Sequence, residues 1–251
     1  MRGFVFAGRI GKEILREPLA FIFCLGFPLG MLMLMTIIDQ SIPAETGMKI
    51  FHMNYLAPGI VLFGFTFLML FVCLQVSKDR SDAFLMRLCT SPMKSVDFVA
   101  GYTMPVLAIA VMQSAVTFAA AFAVAAVNGD MLNVVNVALC ILVNLPAILL
   151  FLGFGILFGT LFSEKAAPGC CSIVICAAGM LGGIWMDVDA LGGVFGKICH
   201  VLPFYQSVKA ARMTVLGQYG EIGCPLVITS VYAAGVYLLA AALFKRRMRR
   251  E

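Results

Sequence analysis

The chain has 251 residues, 62% of them apolar and only 12% charged, with a mean hydropathy of +1.00 and a formal net charge of +5. A soluble core of this size cannot hide so much apolar surface, which excludes a water-soluble globular fold and leaves a membrane protein. The charges sit in short clusters between apolar runs, so no extended nucleic-acid-binding face is formed either.

A helix crossing a hydrocarbon layer of about 30 Å needs about 20 residues, and runs of that length recur six times. They fall near residues 19–38, 55–76, 102–127, 134–162, 168–186 and 225–244, giving an expected all-α fold: one six-span transmembrane domain over residues 1–251. Alternating sides along these spans puts fourteen of the eighteen Lys and Arg on one face, which the positive-inside rule reads as cytoplasmic, with both termini there.

Ahead of the first span, residues 2–16 put Phe4, Phe6, Ala7, Ile10, Ile14 and Leu15 on one helical arc and Arg2, Arg9, Lys12, Glu13 and Arg16 on the other. This reads as an interfacial helix over 1–17, lying flat before Pro18, or as an ordinary basic flank of the first span. The apolar run that follows is too long for a signal peptide and lacks a small-residue cleavage site, so it is expected to be retained. Pro28 and Pro146 should bend the first and fourth spans, whereas Pro105 falls in the first turn of the third.

Between the second and third spans, over 77–101, Phe84, Leu85 and Leu88 recur at helical spacing beside Arg80, Asp82 and Arg87, with Pro92 as a stop. The pattern predicts a short amphipathic helix along the cytoplasmic surface; a solvated connecting loop is the alternative. Within the spans, Asp39, Asp130, Asp187 and Asp189 all lie at predicted ends and no Lys, Arg or His falls mid-membrane. A carrier driven by protons or sodium usually keeps a carboxylate or His inside the bilayer, so this scarcity counts against ion coupling. Gln113, Ser114 and Thr117 on the third span and Asn144 on the fourth either hydrogen-bond between helices or line a path for an amphiphile. Gln113, Thr117 and Asn144, with Phe204, are the candidate path residues. Gly155-x-x-x-Gly159 on the fourth span permits close helix approach, but the spacing is too common to assign to dimerisation.

Residues 187–212 fall outside yet carry Val188, Leu191, Val194, Phe195, Ile198, Val201, Leu202, Phe204 and Tyr205, interrupted by Gly192, Gly193, Gly196 and Pro203. The segment reads as a broken re-entrant pair dipping into the outer leaflet, with Lys197 and Arg212 near the headgroups, or as a flap on the outer surface. Of the nine cysteines, Cys199 and Cys224 are the pair placed outside, and a disulfide between them depends on geometry. No metal-ligand spacing, catalytic Ser/His/Asp set or paired catalytic carboxylates is found. The nearest approach to a phosphate-binding loop, Gly192-Gly193-Val194-Phe195-Gly196-Lys197-Ile198, has the wrong glycine spacing and no hydroxyl after Lys. The C-terminal run Lys245, Arg246, Arg247, Arg249 and Arg250 is a cytoplasmic stop facing anionic lipid.

Asp79-Arg80 followed by Leu85, Arg87-Leu88 and Ser91-Pro92 resembles the Glu-Arg…Leu-Glu-x-Leu…Thr-Pro loop of permease subunits in ABC-2 type ATP-binding cassette transporters. The stretch Leu202-Pro203-Phe204…Ala211-Arg212 is similar to the family's Leu-Pro…Arg segment after the fifth span. The resemblance covers nearly the whole chain, although Ser81, Ala83, Phe84 and Met86 depart from the family pattern. It implies an exporter half in the plasma membrane that dimerises with a second permease, identical or not. It also implies docking of a cytoplasmic ABC ATPase through Asp79, Arg80, Asp82, Phe84, Leu85, Arg87, Leu88 and Pro92. The chain itself would bind no cofactor, ATP and Mg being held by the partner ATPase, and would be no enzyme. The first, second and fifth spans would border the path of a hydrophobic or amphiphilic substrate (drug, peptide or lipid-like). A non-transporting scaffold or immunity protein, an integral membrane enzyme and an ion-coupled carrier are the rival readings.

Overall fold

The computed structural model describes residues 2–18, 22–41, 52–81, 95–128 and 131–248. The chain forms α1 (Arg2–Arg16), then a π-helical turn (Ile22–Gly26) leading into α2 (Phe27–Ser41), α3 (Met53–Ser81) and α4 (Ser95–Asn128). There follow α5 (Val134–Val143), α6 (Leu145–Leu161), α7 (Ala167–Leu181), α8 (Val188–Leu191), α9 (Gly193–Val201), α10 (Pro203–Val215) and α11 (Gly223–Met248). No strand occurs among the described residues, and the fold is the expected all-α one.

Among the described residues, five stretches are long and apolar enough to cross a membrane: Ile22–Ser41, Met53–Ser81, Phe98–Asn128, Val134–Leu161 and Gly223–Leu243. Each coincides with an expected span. The remaining expected span, 168–186, is occupied by α7, whose 15 residues end at the Gly182–Gly183 turn, where Gly183 takes φ +71°. At about 1.5 Å per residue it reaches roughly 22 Å, short of the about 30 Å of a hydrocarbon layer.

The central helix is α3. Its most apolar window is 72% buried, against 22% for those of the first and last long helices, and it packs on α2, α4, α6, α7 and α10. The contact with α6 is made by glycine. A β-carbon at Gly155 would stand 2.5 Å from the Met69 carbonyl oxygen, and one at Gly159 would stand 2.7 Å from that of Cys73. Both helices advance by four residues between these two contacts, so α3 and α6 run parallel, backbone against backbone. The Gly155-x-x-x-Gly159 motif is thus consumed inside the chain. The opposite face of α6 meets α11, where Gly153 admits Val236 and Tyr237.

The prolines act as chain punctuation, with one correction. The π-helical turn lies directly before Phe27-Pro28, and the break between α5 and α6 at Asn144 directly precedes Pro146; both fit a proline that removes the N–H needed four residues back. Pro105, expected in a first turn, lies well inside α4, because that helix starts at Ser95, seven residues before the apolar run. Its ring is covered by α1, which runs along α4 with Gly11 3.3 Å (as a β-carbon) from Pro105 Cβ. Ala7, Ile10 and Ile14 of α1 are buried while Lys12 and Arg16 are exposed, which follows the arc read from the sequence. α1 marks one end of the bundle, called here the basic end; the start of α3 and of α5 marks the far end.

α10 occupies the far half of the bundle. Phe204 stacks on Phe151 (5.9 Å, 23°), which the α3–α6 register sets level with the middle of α3. Val215, at the other end of α10, accepts a hydrogen bond from Asn136 Nδ2 (3.0 Å) near the start of α5. The helix then closes with the 6→1 and 5→2 bonds of a Schellman motif, Gln218 N–H to Met213 O (2.9 Å) and Gly217 N–H to Thr214 O (3.1 Å), with Gly217 at φ +77°. Cys199 is buried against Val188 and Tyr205, Cys224 is exposed at the start of α11, and both are free thiols.

Candidate functional site

The last turn of α3 is where the sequence-derived coupling residues begin. No Gly or Pro stops α3 at the expected end near Val76, and it continues to Ser81, so Asp79 and Arg80 are helical. Asp79 is 3% exposed. Its Oδ2 accepts the Tyr102 hydroxyl at 2.7 Å and its Oδ1 accepts Gln75 Nε2 at 3.4 Å. From α1, Arg9 Nη2 approaches Asp79 Oδ1 at 3.5 Å and also binds Glu13 Oε1 at 2.9 Å, while Glu13 Oε2 accepts Gln75 Nε2 at 2.8 Å. Buried carboxylates need such partners, since an unpaired charge in a low-dielectric setting costs several kcal/mol or about that order.

Arg80 turns the other way. Its guanidinium donates to the carbonyls of Thr160 and Phe162, the latter at 2.7 Å, closing the C-terminal end of α6. Ser81 Oγ adds a contact to Glu164 Oε2 at 3.3 Å. One turn of α3 is therefore hydrogen-bonded to α1, α4 and the α6–α7 turn together, directly before the 82–94 connection. Asp82, Phe84, Leu85, Arg87, Leu88 and Pro92 lie outside the described residues.

The four path residues are all enclosed and are not gathered around one cavity. Gln113 and Thr117, one turn apart on α4, are fully buried. Gln113 Nε2 donates to Val61 O of α3 at 3.4 Å, and its amide fills the space above Gly64, where a β-carbon would collide with Nε2 at 1.8 Å. Gln113 Oε1 and Thr117 Oγ1 have no partner among the described residues. Asn144 sits in the α5–α6 break with Nδ2 3.7 Å from Cys140 Sγ, and Cys140 in turn reaches Ala211 O of α10 at 3.6 Å. Phe204 lies between Phe151 and Phe154. Gln113→Leu removes the unpartnered oxygen but also the Nε2 bond to Val61 O and, being one heavy atom shorter, leaves part of the space above Gly64 unfilled, so the folded protein should stay within about 1–2 kcal/mol of the parent. A loss of transport at unchanged thermal stability would assign Gln113 to the path; unchanged transport would make it packing alone.

Pro203 opens α10 at N1, where its missing N–H costs nothing, and Arg212 lies at the helix's far end. Arg212 Nε donates to Tyr55 O at 3.0 Å, with the guanidinium over the Tyr55 ring at 5.9 Å. Gln75, Tyr102 and Tyr55 are not among the candidate site residues read from the sequence, and Glu13 is read there only as part of the polar arc of the N-terminal helix. Gln75 is one helical turn before Asp79 and in principle visible by spacing, but the partners on α1 and α4 depend on helix pairing that one sequence does not display. No metal-binding group of three or more His, Cys, Asp or Glu occurs among the described residues.

A family model described as "ABC-2 family transporter protein" matches residues 39–243. No match is found among curated proteins.

Proposed function

Since the chain belongs to the ABC-2 family of transporter proteins and is a multi-pass membrane permease subunit, we propose that it is one half of an ATP-driven exporter powered by a separate cytoplasmic ABC ATPase. A second permease copy, identical or homologous, completes the pore, and each half docks one ATPase on the connection around residues 82–94. The basic end then faces the cytoplasm, in agreement with the positive-inside bias, and the membrane is the plasma membrane.

The observation that carries this reading is the hydrogen-bonded last turn of α3. Force applied to the connection just after Ser81 reaches α1 through Asp79, α4 through Tyr102 and α6 through Arg80, so three neighbours move with α3 instead of the connection flexing alone. The mechanism proposed is alternating access, with α2, α3 and α7 bordering the path. The buried but unpartnered oxygens of Gln113 and Thr117 gain partners when the helices separate. The cargo is hydrophobic or amphiphilic, a drug, peptide or lipid-like molecule, because the bundle interior offers amide and hydroxyl groups and aromatic rings in place of an ion-binding set. The exposed stripe Leu191, Val194, Ile198 and Val201 on α8 and α9 supports a re-entrant placement of 187–212, since such a face is poorly suited to water.

The test is transport in proteoliposomes holding the permease and its ATPase, with a fluorescent amphiphile as probe. Movement that needs ATP and stops with a hydrolysis-dead ATPase is expected. Movement that follows an imposed proton or sodium gradient without ATP would replace this reading with an ion-coupled carrier.

A further inference from the structure

At the far end of the bundle a cavity of about 240 Å³ opens between α3, the bend at 182–187, α8 and α10, and it includes Tyr55, Asp187, Asp189, Tyr205, Lys209 and Arg212. The acids in it are already engaged. Asp187 caps α8, its Oδ1 accepting the N–H groups of Asp189 and Ala190 at 3.1 Å each. Asp189 accepts the Tyr205 hydroxyl at 2.8 and 2.9 Å and faces His200 Nε2 at 3.3 Å.

The cations are not engaged to the same degree. Lys209 makes no hydrogen bond or ion pair among the described residues, and Arg212 uses Nε for the Tyr55 carbonyl while its Nη2 is buried with no partner there. Three residues apart on α10, the two side chains share one face and reach the same cavity. The two cations balance the charges of Asp187 and Asp189, so what the pocket offers an anion is N–H donors without partners among the described residues, and a guanidinium beside an ammonium suits phosphate or carboxylate oxygens. The volume lies below the roughly 300–1,000 Å³ of pockets that enclose drug-sized ligands, so a headgroup fits where a whole amphiphile does not. The exposed apolar stripe of α8 and α9 adjoins this region in the chain and offers a surface for the attached apolar part.

We propose that this cavity is a binding site for the anionic headgroup, phosphate or carboxylate, of an amphiphile, with Arg212 and Lys209 as its anion-holding residues. The inference concerns binding alone and stands or falls separately from export.

The full chain, purified in dodecyl maltoside, is titrated with dihexanoyl-phosphatidylglycerol, dihexanoyl-phosphatidylcholine and inorganic phosphate, and binding is read by isothermal titration calorimetry. A saturable response to phosphatidylglycerol is expected, weakened by salt and about tenfold or more tighter than that to phosphatidylcholine. Lys209→Gln should raise the apparent Kd about tenfold, as befits loss of one charge-assisted contact. Arg212→Gln should do the same or more, but it also breaks the bond to Tyr55, so Lys209→Gln carries the decision. Inorganic phosphate binding as tightly as phosphatidylglycerol would overturn the assignment to an amphiphile's headgroup; tighter binding of phosphatidylglycerol supports it. Absence of a saturable response to either anion, equal affinity for phosphatidylcholine, or a Lys209→Gln titration identical to the parent would overturn the proposal.

Discussion

Gly155→Val is expected to abolish accumulation of the folded protein. The added side chain has nowhere to go. Its β-carbon alone would stand 2.5 Å from a backbone oxygen of α3 and 3.1 Å from Val72 Cβ, and neither belongs to a side chain that can swing aside. Relief requires α3 and α6 to separate, and α3 is the helix against which α2, α4, α7 and α10 also pack. Overpacking of a tight interior costs about 1–3 kcal/mol where side chains yield, and the cost here lies above that range because backbone must move. Gly159→Val meets the Cys73 carbonyl in the same way. Gly30→Ala is the internal control: nothing lies within 4 Å of its β-carbon position, and it lies within α2, so it should be neutral or stabilising by up to about 1 kcal/mol. Detergent-extracted yield and thermal melting of the three variants check this. A Gly155→Val protein that melts with the parent would mean that α3 and α6 are not in backbone contact.

Asp79→Leu should separate stability from coupling. The substitution removes the carboxylate that accepts the Tyr102 hydroxyl and draws Arg9 of α1 onto α3. Loss of a buried, partly charged hydrogen-bond set is worth about 2–3 kcal/mol, at the lower end because Arg9 remains partly exposed and bonded to Glu13. The larger effect is on the work done: with α1 and α4 released from the last turn of α3, ATP hydrolysis by the complex should continue while transport falls. Asp79→Asn keeps one acceptor oxygen for Tyr102 and should lose less on both counts. Glu13→Ala, which acts on the same network through Gln75 and Arg9, should be markedly less than additive with Asp79→Leu. An Asp79→Leu variant with parental melting and parental transport would show that the junction is neither structural nor coupling.

The long spans were legible because a membrane-crossing helix announces itself by length and hydropathy, and each of the five long stretches coincides with an expected span. What was not legible follows from physics that a hydropathy run does not encode. α3 extends beyond its apolar window because polar side chains there find partners on other helices, as Asp79 does in Tyr102. α7 ends early because a left-handed glycine, Gly183, follows an apolar helix whose composition alone looks long enough to span. Gly155 and Gly159 were visible as a close-packing motif, but whether the partner was another chain or another helix of the same one depended on tertiary pairing. Among the site residues, Asp79 and Arg80 were found through motif spacing, yet their opposite orientations, one toward α1 and α4 and the other toward α6, needed the packed bundle. Lys209 carries no spacing signal at all, and its pairing with Arg212 became visible only with a cavity in front of both.

The central claim, a permease worked by a separate ATPase through the connection after α3, is tested most directly by purifying the tagged chain from its native membranes in mild detergent. Co-purifying proteins are identified, with an Arg87→Glu variant in parallel. A near-stoichiometric ABC ATPase, weakened or lost in the variant, is the expected result. Repeated purification of the intact chain with no ATPase attached would contradict it.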